Sequence, residues 1–231
     1  MSGTLRTVGS GIRIAATGFA RLLWPPVCQN CRRPTTESTG LLCRDCWDDI
    51  LKSTASPYCP RCGHDAGLYA IHNGSCSDCK GHQFHFDGIA RAGVHEAALQ
   101  RMIVAFKAAD RTDLDPHFRL LINSALAAAP FRHELEYLVP VPLHWTRRLS
   151  RGYNHAHLLA KVIDHSKARI NSDLVRIRKT RPQPTLTVRQ RALNVKEAFA
   201  VRKGHPFAGS IVCLVDDVKT TGATLNECAW T

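Results

Sequence analysis

Residues 211–224, with the sequence IVCLVDDVKTTGAT, decide the fold of this chain. The apolar run at 211–215 predicts a buried strand, and Asp216 and Asp217 mark its carboxyl end. A turn of small and hydroxylated residues follows and leads into the start of a helix. Because ligands of parallel α/β sheets bind beyond the carboxyl ends of the strands, this order predicts a binding site at that edge.

The acids and the turn suit a phosphorylated sugar. Two carboxylates can hold a diol, while backbone amides, Thr hydroxyls and a helix N-terminus can hold a phosphate. Gly222 permits close approach of the backbone to the ligand. Lys219 has two open interpretations, a charge contact with the phosphate or a solvated side chain. The candidate phosphate loop consists of Lys219, Thr220, Thr221, Gly222, Ala223 and Thr224.

The chain upstream of this stretch alternates between apolar runs and segments with helical spacing. That alternation predicts an α/β fold with a parallel sheet flanked by helices. Neither G-x-G-x-x-G nor G-x-x-x-x-G-K-[ST] occurs, so the common dinucleotide-binding and P-loop classes lack support. The predicted strands are 139–142, 174–177, 199–201 and 211–215, and the predicted helices are 97–108, 118–129, 156–163 and 192–198.

The front of the chain is rich in cysteine. Eight of the ten Cys residues form four C-x-x-C pairs, and four thiolates complete a tetrahedral structural zinc site. No export signal is recognised, which argues against a disulfide framework, and a redox motif has no need to recur four times. Two structural zinc ions are therefore predicted on Cys28, Cys31, Cys43, Cys46, Cys59, Cys62, Cys76 and Cys79.

The order in which these pairs combine is less defined by the sequence. Residues 40–51 predict a helix whose first turn carries Cys43 and Cys46, and such a helix after a knuckle favours sequential pairing of the C-x-x-C motifs. An interleaved arrangement stays open. Cys213 is predicted to be a small core residue, and Cys228 has no assigned role.

Composition limits the class of protein. The formal net charge of +12 suits a polyphosphate ligand or single-stranded nucleic acid, and equally a solvated cationic surface. No apolar run approaches the roughly 20 residues of a membrane span, and we predict a cytoplasmic protein. Residues 1–26 fit a transit peptide or, as we favour, a short packed helix. The predicted units are a helical lead at 1–26, a zinc module at 27–86 and an α/β domain at 87–231.

Residues 211–224 resemble the phosphoribosyl pyrophosphate (PRPP) signature of type I phosphoribosyltransferases, which is an apolar run, two acids, a short spacer and T-T-G-x-T. The resemblance implies that Asp216 and Asp217 are the catalytic acids and address the ribose 2′ and 3′ hydroxyls. It also implies that the candidate phosphate loop wraps the 5′-phosphate, and that Mg²⁺ accompanies PRPP.

Over roughly residues 22–231 the chain resembles the ComF family, which joins an N-terminal Cys-rich module to a type I phosphoribosyltransferase domain. The motifs that carry this resemblance are Phe106-Lys107, 139–143, Arg148 with 151–154, a spaced pattern over 174–199, and the signature itself. It implies transfer to an unknown acceptor and a link to DNA uptake or nucleotide metabolism. Two other functions stay open: a single-stranded-DNA-binding accessory, and a nucleotide sensor without turnover.

Basic residues upstream of the signature are candidates for the pyrophosphate end of the substrate. The segment 178–190 is polar, basic and Pro-containing, and we predict a mobile loop there that closes as a lid. The candidates for pyrophosphate or lid contacts are Arg148, Arg151, Arg178 and Arg191.

The chain departs from the family pattern in two places. Tyr153-Asn154-His155 stands where the family usually has Phe-Asn-Gln, and we expect an imidazole in place of an amide to alter substrate contacts or to make them pH-sensitive. The sequence also stops at Thr231, inside the helix after the phosphate loop, so we expect it to be a fragment.

Overall fold

The computed structural model describes residues 27–35, 41–108, 115–146, 152–164, 167–181 and 186–231. The predicted helical lead at 1–26 lies outside these ranges, as do Arg148 and Arg151. The domain boundaries at 26 and 86 stay predictions. Residues 84–88 form neither helix nor strand, and the amide of His85 donates to Asn226 Oδ1 at 2.8 Å.

Among the described residues, the Cys-rich region contains one α-helix, two short 3-10 helices (Leu68–Ala70 and Ser77–Cys79) and one small hairpin. Helix α1, Arg44–Thr54, begins directly after Cys43, which is its N-cap, so only Cys46 of the two predicted cysteines lies in the first turn. Strands β1, Ile71–His72, and β2, Ser75–Cys76, pair antiparallel. Asn73 and Gly74 join them, both with positive φ, as a two-residue hairpin turn requires.

The predicted parallel sheet is confirmed. Strand β3, Tyr137–Pro140, lies between β4, Arg169–Ile170, and β7, Val212–Val215, and both neighbours run parallel to it. The register pairs Tyr137 with Val212 and Pro140 with Val215. β3 ends at Pro140, two residues before the predicted limit, because Pro142 has no N–H to donate. The Val141 amide still donates to the Val215 carbonyl at 2.9 Å.

Both faces of this sheet are buried, because successive side chains of a strand point to opposite sides. Leu138 and Val215 pack into a core shared with the helices on one face. Val139 and Val141 pack into a second core on the other face. A parallel sheet covered on both faces explains why 211–215 reads as a continuous apolar run instead of an alternating one.

Helices lie against both faces. One core contains Phe106 of α2 (Ala97–Ala108), Phe118 of α3 (Asp115–Ala127) and Leu159 of α4 (His155–Lys161). The opposite core contains Val195 of α5 (Val188–Val195) and Cys228 of α6 (Ala223–Trp230). None of the helices in the described ranges combines the length and apolarity that a membrane crossing requires.

A second, antiparallel pair lies beside the sheet. Strands β5, Leu174–Arg176, and β6, Phe199–Val201, match the predicted strands closely. The predicted loop at 178–190 and helix at 192–198 need correction, because α5 begins at Val188 and ends at Val195. A capping box starts this helix: Thr187 Oγ1 accepts from the Gln190 amide, and Gln190 Oε1 accepts from the Thr187 amide.

Candidate sugar-phosphate site and metal centres

The two predicted acids lie at the carboxyl end of β7, next to the end of β3. Asp216 follows Val215 directly, and its Oδ1 accepts a hydrogen bond of 2.9 Å from the Asp217 amide. Both acids are partly buried. The structure therefore brings the pair to the sheet edge at which α/β proteins bind ligands.

Asp216 holds its proton unusually well. Burial raises the pKa of its carboxyl, and the charge of Asp217 raises it further, to about 7. The Asp217 amide and the positive charges of Lys107 and Arg176 act in the opposite direction. A carboxyl whose pKa is raised by burial and by a neighbouring charge is found more often at functional sites than elsewhere.

Asp217 forms an ion pair that is not evident from the sequence. Lys107, in the last turn of α2, places Nζ 3.0 Å from Asp217 Oδ1, with side-chain exposures of 31% and 20%. His95 lies within electrostatic reach of both; burial lowers its pKa, Lys107 lowers it further, and Asp217 opposes the shift. The His95 side chain is partly buried and lies just before the start of α2.

The candidate phosphate loop leads directly into α6. Gly222 is buried at the N-cap with φ +79° and ψ 0°, a left-handed conformation that side chains other than glycine adopt at a cost. The Ala223 amide donates to Thr221 Oγ1 at 3.4 Å. The loop thus combines hydroxyls with a helix N-terminus, the arrangement that favours a bound anion.

Lys219 is partly buried and lies against its own loop. Its Nζ lies 3.5 Å from the Thr220 carbonyl, and a Cβ at position 222 would meet its Cε at 3.1 Å. Burial lowers the pKa of the Lys219 ammonium, and the positive charge of Arg91 lowers it further. The negative charges of Cys62 and Asp65 act in the opposite direction. The side chain is partly buried, and a contact with a bound phosphate stays a prediction.

Four arginines are predicted to reach the pyrophosphate, and the structure describes two of them, Arg178 and Arg191. Both donate hydrogen bonds to backbone carbonyls. The Arg178 guanidinium donates to the carbonyls of Asn194 and Lys196 at the end of α5. The Arg191 Nε donates to the Leu186 carbonyl at 3.0 Å. Arg148 and Arg151 lie outside the described residues. A substrate contact for any of the four stays a prediction.

The eight cysteines form two clusters in the sequential order that the sequence favours. One contains Cys28, Cys31, Cys43 and Cys46, the other Cys59, Cys62, Cys76 and Cys79, and within each all Sγ atoms lie within 4.8 Å of one another. Sγ–Sγ separations are 3.7 Å for Cys31–Cys43, Cys59–Cys79 and Cys62–Cys76.

These separations fit zinc and exclude disulfides. Four sulfurs at about 2.3 Å from a zinc ion form a tetrahedron with edges of about 3.8 Å, whereas a disulfide measures about 2.05 Å. Within the first cluster, the Arg33 side chain lowers the pKa of Cys31 to about 6, while burial and the neighbouring thiols raise that of Cys46 to about 12. Four thiolates at this spacing therefore need a cation between them. Each cluster is a zinc-binding site with four cysteine ligands and no position left for a substrate.

The two zinc sites differ in their surroundings. Cys28 and Cys46 belong to the same core as α2, α3 and Leu138 of the sheet. The second site has a small core of its own, with Phe84 packed against its cysteines. A cavity of about 420 Å³ lies beside the first site and includes Arg33, Asp45 and Arg101 in its lining, away from the carboxylate pair.

The comparisons with known proteins agree with this arrangement. Residues 19–80 match the double zinc ribbon domain. Competence protein F of Haemophilus influenzae is 33% identical over 207 residues that cover 87% of each chain. The DNA utilization protein YhgH of Salmonella typhi is 29% identical, with 89% of each chain covered. Competence protein ComFC of Bacillus subtilis is 27% identical over 81% of this chain and 76% of its own. No solved structure matches the chain.

Fold and site together define the class of protein, a double zinc ribbon joined to a parallel α/β sheet with helices on both faces. Within that class, the similarity to competence protein F covers most of both chains. The chain belongs to the ComF family.

Proposed function

We propose that the chain binds PRPP with Mg²⁺ through Asp216, Asp217 and the candidate phosphate loop, as a phosphoribosyltransferase-like protein linked to DNA uptake or nucleotide metabolism. One observation carries the proposal. Two partly buried carboxyls end β7, and a left-handed glycine at a helix N-terminus follows them within a few residues. The printed names of the relatives, competence protein and DNA utilization protein, support the biological context.

The proposed chemistry replaces one bond at ribose carbon 1. The bond to the pyrophosphate oxygen breaks and its electron pair leaves with pyrophosphate, while the lone pair of an acceptor nucleophile forms the new bond. Asp216 and Asp217 would accept hydrogen bonds from the ribose hydroxyls and so orient the ring, and their charge would stabilise the cationic transition state. Loop amides would hold the 5′-phosphate. Carboxylate and phosphate oxygens suit Mg²⁺ as ligands. When bound, the ion supplies positive charge to the departing pyrophosphate.

Calorimetric titration with PRPP, with and without Mg²⁺, tests the binding step. Asp217→Asn should weaken binding by about 1–3 kcal/mol, because a charged acceptor in a partly buried hydrogen bond is worth roughly that. Asp164→Asn is the control, since that acid is exposed and pairs with Arg119 on another surface. Equal affinity of the Asp217 variant and the wild type would count against the ribose contact.

Turnover needs a separate test. Incubation with PRPP, Mg²⁺ and a panel of nucleobases and amines, followed by measurement of released pyrophosphate, separates a transferase from a nucleotide sensor. Release that depends on one acceptor identifies the enzyme and its substrate together. Binding of PRPP without release under any of these conditions identifies a sensor.

A second candidate function, binding of single-stranded DNA, rests on an aromatic and basic cluster near the second zinc site. The rings of His82 and Phe84 stack with centroids 6.0 Å apart, and those of Phe84 and Phe86 lie 5.2 Å apart. The Arg61 guanidinium lies 5.8 and 5.9 Å from the centroids of Phe84 and Phe86. Rings beside cations are the means by which proteins hold unpaired bases, and the net charge of +12 favours a polyanion.

Fluorescence anisotropy with a labelled oligothymidine, repeated over a salt series, tests this function. A steep loss of affinity with salt is expected, because each neutralised phosphate releases counterions. Arg61→Met and Phe86→Ala should weaken binding, whereas Tyr69→Ala, an exposed ring of the same Cys-rich region outside the cluster, should not. Equal effects of all three variants would contradict the cluster as the binding surface.

A further inference from the structure

Lys107 connects helix α2 to the candidate sugar-phosphate site. The ion pair with Asp217, 3.0 Å between Nζ and Oδ1, is the contact of this lysine that reaches the carboxylate pair. Both partners are largely shielded from solvent, at 31% and 20% exposure, so the pair differs from the exposed ion pairs that contribute little. Lys107 therefore belongs to the immediate surroundings of the acids.

The position of this lysine is set by packing at the far end of its helix. The Ala98 amide donates to Asp49 Oδ2 at 3.0 Å, and the Ala98 carbonyl accepts from Asn30 Nδ2 at 2.9 Å. Phe106, the residue before Lys107, is fully buried in the core that also contains ligands of the first zinc site. Helix α2 is thus held at its start by the zinc ribbon and along its length by the core, which fixes where the ammonium can lie.

Substrate binding would change the partner that this ammonium needs. If the ribose hydroxyls bind Asp217, as in the proposed function on which this inference rests, the carboxylate is shared and Lys107 loses part of its counter-charge. The candidate loop holds the 5′-phosphate, so the other anionic group of the substrate is the pyrophosphate on carbon 1, next to the ribose hydroxyls. We propose that Lys107 exchanges Asp217 for an oxygen of that pyrophosphate and is a substrate-binding residue of this site.

The exchange has a chemical consequence. When the bond from carbon 1 to the pyrophosphate oxygen breaks, the electron pair stays on that oxygen and its negative charge increases. An ammonium in contact stabilises this charge without transfer of a proton, in the manner of other phosphate-binding lysines. A lysine that only paired with Asp217 would instead compete with the ribose, and its removal would strengthen binding.

Calorimetry with two ligands distinguishes these roles. The variant Lys107→Met keeps the aliphatic stem and removes the charge, Lys107→Arg restores a cation, and Arg101→Met removes a charge from the exposed face of the same helix. We expect Lys107→Met to bind PRPP with Mg²⁺ roughly tenfold to a hundredfold more weakly, as for loss of one charged contact. Ribose 5-phosphate, which lacks the pyrophosphate, should bind this variant within about twofold of wild type. Lys107→Arg should recover part of the loss, and Arg101→Met should bind both ligands normally.

The remaining outcomes overturn the inference in distinguishable ways. Unchanged or tighter PRPP binding by Lys107→Met would mean that the lysine only competes for Asp217. Equal weakening of both ligands would mean that it only positions the carboxylate. Failure of the wild-type protein to bind either ligand would overturn the proposed function itself, and with it this role of Lys107. Thermal unfolding of each variant separates these results from loss of the fold.

Discussion

At the scale of single residues, Asp216 couples the candidate site to stability. Its pKa of about 7 in the folded chain exceeds the ordinary aspartate value, so the folded state binds the proton more tightly than the unfolded state. Stability is then lost as pH rises from the unfolded pKa through the folded one, because the folded chain must either keep the proton or bury a second charge. The site is thus destabilising at neutral pH unless a ligand or cation compensates the charge.

Replacement of this acid should reveal that cost. We expect Asp216→Asn to be more stable than wild type by about 1–2 kcal/mol near pH 8, after allowance for its partial exposure. The advantage should shrink as pH is lowered to about 5.5, because the wild-type carboxyl then carries its proton. Urea denaturation at both pH values measures the difference. An advantage of the same size at both would show that the carboxyl does not titrate in this range.

Gly222 is the second residue whose effect can be isolated. Alanine there would take a left-handed φ and place Cβ 3.1 Å from Lys219 Cε, whereas Gly209 has a similar φ of +75° and open space around it. Gly209→Ala should therefore cost about 1 kcal/mol from backbone strain alone, and Gly222→Ala about 1–2 kcal/mol. Denaturation measures both, and PRPP titration should show lost affinity for Gly222→Ala alone. Equal affinity of the two variants would argue against the loop as the phosphate site.

At the scale of elements, α5 shows that a capping motif can start a helix inside a segment whose polar, basic composition predicts a loop. The helix lies in a polar, basic region whose composition predicts a loop up to residue 190, and its capping box starts it at Val188. Asn194, near the end of the same helix, accepts from the Arg181 amide and donates to the Arg181 carbonyl. The helix thereby holds the backbone that carries Arg178.

The capping box can be tested by substitution of its first residue. Thr187→Ala removes the acceptor for the Gln190 amide and should destabilise the chain by about 1 kcal/mol. Thr187→Ser keeps a hydroxyl at the same place and should stay close to wild type. Both values come from chemical denaturation. Equal loss in the two variants would assign the effect to packing of the Thr methyl group instead of the cap.

At the scale of the whole molecule, the two zinc sites support different cores. Elemental analysis should find two zinc ions per chain, and one in each of the variants Cys46→Ser and Cys76→Ser. Cys46→Ser should lower the thermal midpoint of the entire α/β region, because its site shares the core of α2 and the sheet. Cys76→Ser should act mainly on the second ribbon, whose core is separate. Equal loss of the main transition in both variants would contradict this division.

Features that depend on neighbours in the chain could be predicted from the amino-acid pattern. The apolar run before Asp216 predicted a strand covered on both faces, since a strand exposed on one face would alternate. The C-x-x-C spacing predicted two metal sites, since two thiolates of one knuckle reach one ion. Helix α2 was predicted with its observed limits. Each of these signals lies within a few residues of the structure that it specifies.

Contacts between groups that are distant in the chain could not be predicted in this way, because they depend on tertiary packing. Lys107 was noted as part of a family motif, but its pairing with Asp217 depends on how α2 packs against the sheet. The charges of Cys62, Asp65 and Arg91 that act on Lys219 likewise come from residues far from it in the sequence. The physical reason is that a local pattern records which face of an element is apolar, whereas the partner of a charge at its end is set by the packing of several elements at once.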